Sequence, residues 1–146
     1  MTEPRGPLAS PGYWLHHAAL AWRRELGTRL KPLALTPTRF DVLAALSHLS
    51  KTETAPSQQA IADFAGIDRM MTSKIAVALE AEGLLTRTAD AGDARTNRLA
   101  LTPTGVELVD RATAIARAFD GELFVTAAER AELIAPLTRV RKRIDG

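Results

Sequence analysis

Apolar positions recur at helical spacing along most of this chain. Leu15, Ala19, Trp22, Leu26 and Leu30 repeat at steps of four, three, four and four, which puts them on one face of a helix starting at Tyr13. Arg23, Arg24, Glu25 and Arg29 take its other faces, and Pro32 ends it. Thr36-Pro37 pairs a capping residue with proline at the first helical position, and Phe40, Leu43, Leu46 and Leu49 carry a second helix to about Ser50. After a polar connector, Ser57 caps a third helix, Gln58 to Ala65, which Gly66 breaks. Asp68 caps a fourth from Arg69, with Ile75 and Leu79 on its inner face and Thr72 and Ala76 one position off that stripe. Gly83 suits a left-handed C-terminal cap.

Beyond Gly83 the period changes. Two short runs, 84–88 and 98–102, flank a polar stretch with Asp90, Gly92 and Asp93, and predict a hairpin. Thr102-Pro103 repeats the cap-plus-proline start, and Val106, Val109, Thr113, Ala116 and Phe119, with Ala112 beside them, extend a fifth helix toward Gly121. Thr126 and Glu129 have capping-box spacing, and Leu133, Leu137, Val140 and Ile144 line a sixth helix. Residues 1–12, with Pro4, Gly6, Pro7, Pro11 and Gly12, read as a flexible lead-in.

Composition removes several classes of function. At 146 residues the chain suits a single domain, and with no cysteine it has no disulfide, thiolate metal site or thiol nucleophile. Nineteen Lys+Arg against seventeen Asp+Glu leave a net charge of +2, so any basic surface must come from local placement. No apolar stretch approaches the ~18–20 residues of a membrane span, and the N-terminus lacks a signal-peptide pattern, so a cytoplasmic location is expected. There is no nucleophile–base signature, glycine-rich phosphate loop or metal-ligand spacing, so neither an enzyme nor a cofactor is expected. His16 and His17 are adjacent, point apart on a helix and lack a carboxylate partner, and with His48 they read as ordinary side chains and not as metal ligands.

The informative segment is 57–104: short helix, glycine turn, amphipathic helix, hairpin. That is the order of a winged helix-turn-helix, in which the first helix braces a second one able to enter a major groove ~12 Å wide. The expected fold is therefore mainly α, an α+β winged helix of six helices with a two- to three-stranded wing. The run Ile61 to Asp68, then Thr72-Ser73-Lys74-Ile75, Leu79 to Leu85, Asp93-Ala94-Arg95 and Leu101-Thr102-Pro103-Thr104-Gly105 resembles the MarR family of bacterial transcriptional regulators. The resemblance reaches back to Leu35–Leu43 and covers roughly 13–146, its most specific part being D-x-R followed by L-T-x-x-G. It implies a DNA-binding homodimer, commonly a repressor and less often an activator, whose binding to a pseudo-palindromic operator is weakened by a small-molecule effector or an oxidant. Helices in 13–35 and 105–146 would dimerise, in keeping with apolar stripes there that a winged helix alone does not cover. Two departures stand out: Ala94 where relatives often carry a second Arg, and Met70-Met71 where small polar residues are common.

These readings nominate side chains. Arg69, Met70, Thr72, Ser73 and Lys74, in the first turns of the fourth helix, are candidate contacts to double-stranded DNA: the cations for guanine edges or phosphate, Ser73 for donating or accepting, Met70 for a thymine methyl. Arg95 is a candidate for the minor groove, with Asp93 two residues away to hold its guanidinium, and Arg87 and Arg98 are candidate phosphate contacts. By the resemblance, Trp14, His17, Trp22 and Arg39 are candidate effector-pocket residues. The competing reading is a winged helix that serves only as a protein–protein module, without DNA. The cations at Lys74 and Arg95 weigh against it.

Overall fold

The computed structural model describes residues 2–3 and 5–146, and among them six α-helices and one two-stranded sheet. In chain order these are α1 (Pro11–Leu30), α2 (Pro37–Leu49), α3 (Gln58–Ala65), α4 (Arg69–Ala81), β1 (Leu85–Ala89), β2 (Asn97–Leu101), α5 (Pro103–Leu123) and α6 (Ala127–Asp145). Short 3-10 turns, Gly6–Ala9 and Lys31–Leu33, precede and follow α1. The winged-helix order expected from the sequence is the one observed. The chain forms two compact units, residues 1–113 and residues 114–146, so α5 begins in the first and ends in the second.

The first unit is built on capped helix starts. Thr36 accepts from the Arg39 N–H, Ser57 from Ala60 and Asp68 from Met71, each satisfying a donor the helix itself leaves unpaired. Such caps contribute ~1 kcal/mol each. Ser10 does the same for α1, and Pro11 takes its first position. The lead-in expected over 1–12 is therefore shorter. Residues 6–9 form a turn, and α1 starts two residues before Tyr13 by the same cap-plus-proline rule that starts α2.

Leu26 and Leu30 of α1, Val42, Leu43 and Leu46 of α2, Ile61 of α3, Ile75 and Leu79 of α4 and Leu85 and Leu99 of the wing make an apolar core. Arg23 bonds Asp41 at 2.9 Å and Thr38, tying α1 to α2. Burial raises the Asp41 carboxyl above its usual range despite that pairing with Arg23. The strands pair antiparallel with Leu85 opposite Leu101 and Ala89 opposite Asn97. A single bridge, Ser57 to Arg98, adds the rudiment of a third strand.

One junction explains the L-T-x-x-G run. Thr102 donates its hydroxyl to the Gly83 carbonyl at 2.6 Å and its N–H to the Leu84 carbonyl at 3.1 Å, while its Oγ1 accepts from the Gly105 N–H. Gly105 then passes so close that a Cβ there would lie 1.9 Å from the Leu84 oxygen. Only glycine fits.

The apolar stripes are only partly covered. Leu26 and Leu30 are buried, but Leu15 is 44% and Trp14 56% exposed. In the second unit Phe119 is buried, whereas α6 has no buried residue and exposes Leu133, Ile134, Leu137, Val140 and Ile144. Its start is nonetheless well made: Thr126 and Glu129 form the reciprocal capping box. Pro136 sits within α6 and removes one internal N–H. No helix is long and apolar enough to cross a membrane, among the described residues.

Candidate nucleic-acid interface

The turn between α3 and α4 fixes how α4 is presented. Gly66 adopts φ +69°, where an L side chain would be strained, and lets the Ile67 N–H return to the Ala62 carbonyl at 3.1 Å. Two residues later Asp68 caps α4 through the Met71 N–H at 2.8 Å. Helix α4 then buries Thr72, Ile75, Ala76 and Leu79 and presents Arg69, Met70 and Lys74 to solvent, with Ser73 half-buried.

Thr72 is the correction among the candidates. Its side chain is fully buried, and its hydroxyl donates to the Asp68 carbonyl at 2.9 Å, so it packs and locks the first turn and presents nothing to a groove. The period that places Ile75 and Leu79 inward carries Thr72 with them.

The arginines of the wing divide into two kinds. Arg98 donates Nε to Asp90 at 2.6 Å and Nη1 to both Glu53 at 3.0 Å and the Ala55 carbonyl at 2.9 Å. That bond holds the Asp90 carboxyl below its usual range and raises the Arg98 guanidinium above its own. Arg87 folds over Glu80 of α4, its backbone N–H and Nε bonding the two carboxylate oxygens at 2.9 and 3.1 Å. Both residues, nominated as phosphate contacts, are therefore committed to holding the wing against the loop before α3 and against α4. Nothing in their spacing announces this, because Arg98 and Glu53 are 45 residues apart.

Arg95 is the other kind. Asp93 does not hold its guanidinium as expected; the carboxylate instead accepts from the Arg95 backbone N–H at 3.0 Å and from the Thr96 hydroxyl at 3.4 Å. Asp93 thus shapes the tip and does not hold the Arg95 guanidinium. Arg95 and Arg69 line one cleft of about 50 Å³ with Gln58, Gln59, Thr96 and Asn97. No ion pair ties down Arg69, Lys74 or Arg95 among the described residues. The glutamines and Asn97 were not foreseen; the signal lay in Ser57, whose cap sets the start of α3 beside the strand carrying Arg98.

The four proposed pocket residues have different local engagements. The Trp14 indole donates to the Leu8 carbonyl at 3.0 Å, and His17 lies against the Tyr13 ring at 4.2 Å between centroids. Trp22 is half-buried. Arg39 donates Nη2 to Glu82, the residue that ends α4, and keeps a buried Nε without an acceptor among the described residues.

Comparison with known proteins agrees with this geometry. Residues 35–96 match the MarR family. The chain is 29% identical over 137 residues to an uncharacterized HTH-type transcriptional regulator, YdcH, of Bacillus subtilis, covering 94% of this chain and 93% of that one. Among solved structures it resembles the transcriptional repressor CouR bound to a 23-mer DNA duplex, with a TM-score of 0.80, 29% identity and coverage of 96% of this chain and 99% of that one. A MarR family regulator from Silicibacter pomeroyi superposes with a TM-score of 0.78 at 25% identity, over 95% of this chain and 92% of the other.

Proposed function

We propose that this chain is a MarR-type transcriptional regulator that reads double-stranded DNA by sequence, as a homodimer, from α4 and the wing. In this reading two copies set their α4 helices in successive major grooves of a pseudo-palindromic operator. Lys74 and Arg69 donate to base edges or phosphate, Ser73 adjusts to either, and Met70 meets apolar base edges. Arg95 enters the flanking minor groove. The protein acts as a repressor that a small-molecule effector releases.

One observation carries the DNA part: the sorting of the cations. Arg87 and Arg98 are spent on holding the wing in place, while Arg69, Lys74 and Arg95 keep their charged heads available on α4 and the wing tip. A scaffold for protein contacts alone would need the first group and not the second. The exposed apolar faces of α1 and α6 support the dimer, because each uncovered large side chain forgoes part of the roughly 1.5–3 kcal/mol that full burial contributes. The buried, unpartnered Nε of Arg39 supports an effector with an acceptor group.

The test is selection of duplexes from a random-sequence pool, followed by anisotropy on the selected duplex across a salt series. Affinity should fall steeply with salt, and Lys74→Ala should cost ~1–3 kcal/mol per half-site with relaxed preference at one base pair. Failure to enrich any sequence, with binding indifferent to salt, would favour the protein–protein module.

A further inference from the structure

Two of the chain's three methionines, Met70 and Met71, stand side by side in the first turn of α4, and the chain has no cysteine. Met70 is 73% and Met71 44% exposed. We propose that this pair is an oxidant-sensitive modification site, whose conversion to sulfoxides by a hypohalous acid or a peroxide loosens the grip of α4 on DNA. The proposal rests on the DNA reading of α4 given above.

Three observations support it. Thiolates ordinarily intercept two-electron oxidants first, and here there are none, which leaves exposed thioethers as prime targets. Both side chains are exposed on a helix whose inner face is filled by Thr72, Ile75, Ala76 and Leu79, so oxidation there leaves the core residues untouched. The backbone at the pair is pinned, with Asp68 accepting from the Met71 N–H and Thr72 bonded back to the Asp68 carbonyl. Oxidation therefore changes the chemistry of the surface while the helix stays in place.

The step balances simply. The sulfur lone pair attacks the chlorine of hypochlorous acid, and the O–Cl bond breaks to release hydroxide. Water then attacks the chlorosulfonium sulfur, an S–O bond forms, the S–Cl bond breaks, and chloride and two protons leave, one of them neutralising the hydroxide. With hydrogen peroxide the O–O bond breaks and water leaves. Sulfur loses two electrons and the oxidant gains them. An apolar thioether becomes a polar group whose oxygen only accepts hydrogen bonds. Most of what a major groove offers is also acceptor, guanine N7 and O6, adenine N7 and thymine O4, together with the thymine methyl. Acceptor then faces acceptor, and the apolar contact is lost. Sulfoxide reductases reverse the change, which makes the site a switch rather than a scar.

The experiment uses the full chain and a fluorescein-labelled duplex that the chain has itself selected from a random pool. The chain and its Met70→Leu/Met71→Leu variant are each titrated before and after hypochlorous acid at a few equivalents. Each protein is compared with its own untreated affinity, and sulfoxides are located by peptide mass spectrometry. The expected result is sulfoxide on Met70 and Met71 in the parent, with affinity down about tenfold. Treatment with methionine sulfoxide reductases A and B should restore it, and the double-leucine variant should change less than about twofold. Unchanged affinity in a parent carrying both sulfoxides overturns the proposal, and so does an equal loss in the leucine variant, which would assign the effect to Trp14 or another side chain. An untreated chain that selects no duplex overturns the DNA reading itself, and this proposal with it.

Discussion

Replacing Gly105 by alanine sets two effects of opposite sign against each other. Helix propensity alone favours the change, since alanine in a helix is better than glycine by up to ~1 kcal/mol. The structure opposes it. A Cβ at Gly105 would stand 1.9 Å from the Leu84 oxygen, 3.0 Å from its carbon and 3.2 Å from Leu101 Cδ2, so the backbones must separate by more than 1 Å. The obstacle is a peptide carbonyl that accepts from the Thr102 N–H, and it cannot swing aside as a side-chain end would. Overpacking of this kind costs ~1–3 kcal/mol, and stretching that hydrogen bond adds ~0.5–1.5. The net expectation is a loss of roughly 1–3 kcal/mol once the helical gain is subtracted. Urea unfolding followed by far-UV circular dichroism, at matched chain concentration, should show the midpoint falling by about 1 M. Gly121→Ala is the internal control: it lies in the same helix, nothing lies within 4 Å of its Cβ position, and it should gain ~0.5–1 kcal/mol. If Gly105→Ala unfolds at the same or higher urea than the parent, the close approach at Leu84 does not constrain the fold and the reasoning is wrong.

Other expectations concern the wing, its pH dependence and the exposed helices. Arg95→Ala should leave stability within ~0.5 kcal/mol of the parent, because the head makes no ion pair among the described residues, yet weaken binding to a selected duplex at least about tenfold. Equal anisotropy curves on A·T-rich and G·C-rich flanks, with and without Arg95, would remove the wing from DNA reading. Because Arg98 holds the Asp90 carboxyl below its ordinary 3.8, the tie between them is present above that value and is lost as pH falls through the lower folded value. A carboxyl-carbon NMR titration should find the Asp90 midpoint below the ordinary range and return it there in Arg98→Gln; a midpoint unmoved by that substitution would refute the cause given. Deleting residues 121–146 should give aggregated chain, since the exposed stripe of α6 is read as half of a dimer interface; a folded monomer in sedimentation would contradict that.

Much of the fold was legible because its boundaries are chemical. Thr36, Ser57, Asp68 and Thr126 each accept from the N–H three residues on, as their position before an amphipathic run predicts. Ser10-Pro11 follows the same rule, but five prolines and glycines in twelve residues masked it as lead-in. The faces were less legible. Leu15 and Leu137 belong to apolar stripes as regular as that of Leu43, and a stripe does not say whether the same chain covers it. Least legible were the ion pairs. Arg87, Arg95 and Arg98 look alike in sequence, and their different roles arise from where Glu80, Glu53 and Asp90 come to rest. Thr72 lies three residues before Ile75 and seven before Leu79, a spacing that turns it onto their buried face.

The corner at Leu84 bears on how motion can pass through the first unit. The Leu84 N–H closes the end of α4 on the Leu79 carbonyl, its own carbonyl receives Thr102 and abuts Gly105, and the next residue, Leu85, opens the wing opposite Leu101. Three elements therefore leave from one peptide unit with no slack between them. A displacement of the first turn of α5 cannot be absorbed there by sliding, as it could across a layer of flexible side chains. It reaches the end of α4 and the root of the wing together, and helix and wing tilt as one piece. Whatever pushes on the start of α5 thereby acts on both surfaces at once, and a substitution that loosens this corner should uncouple them.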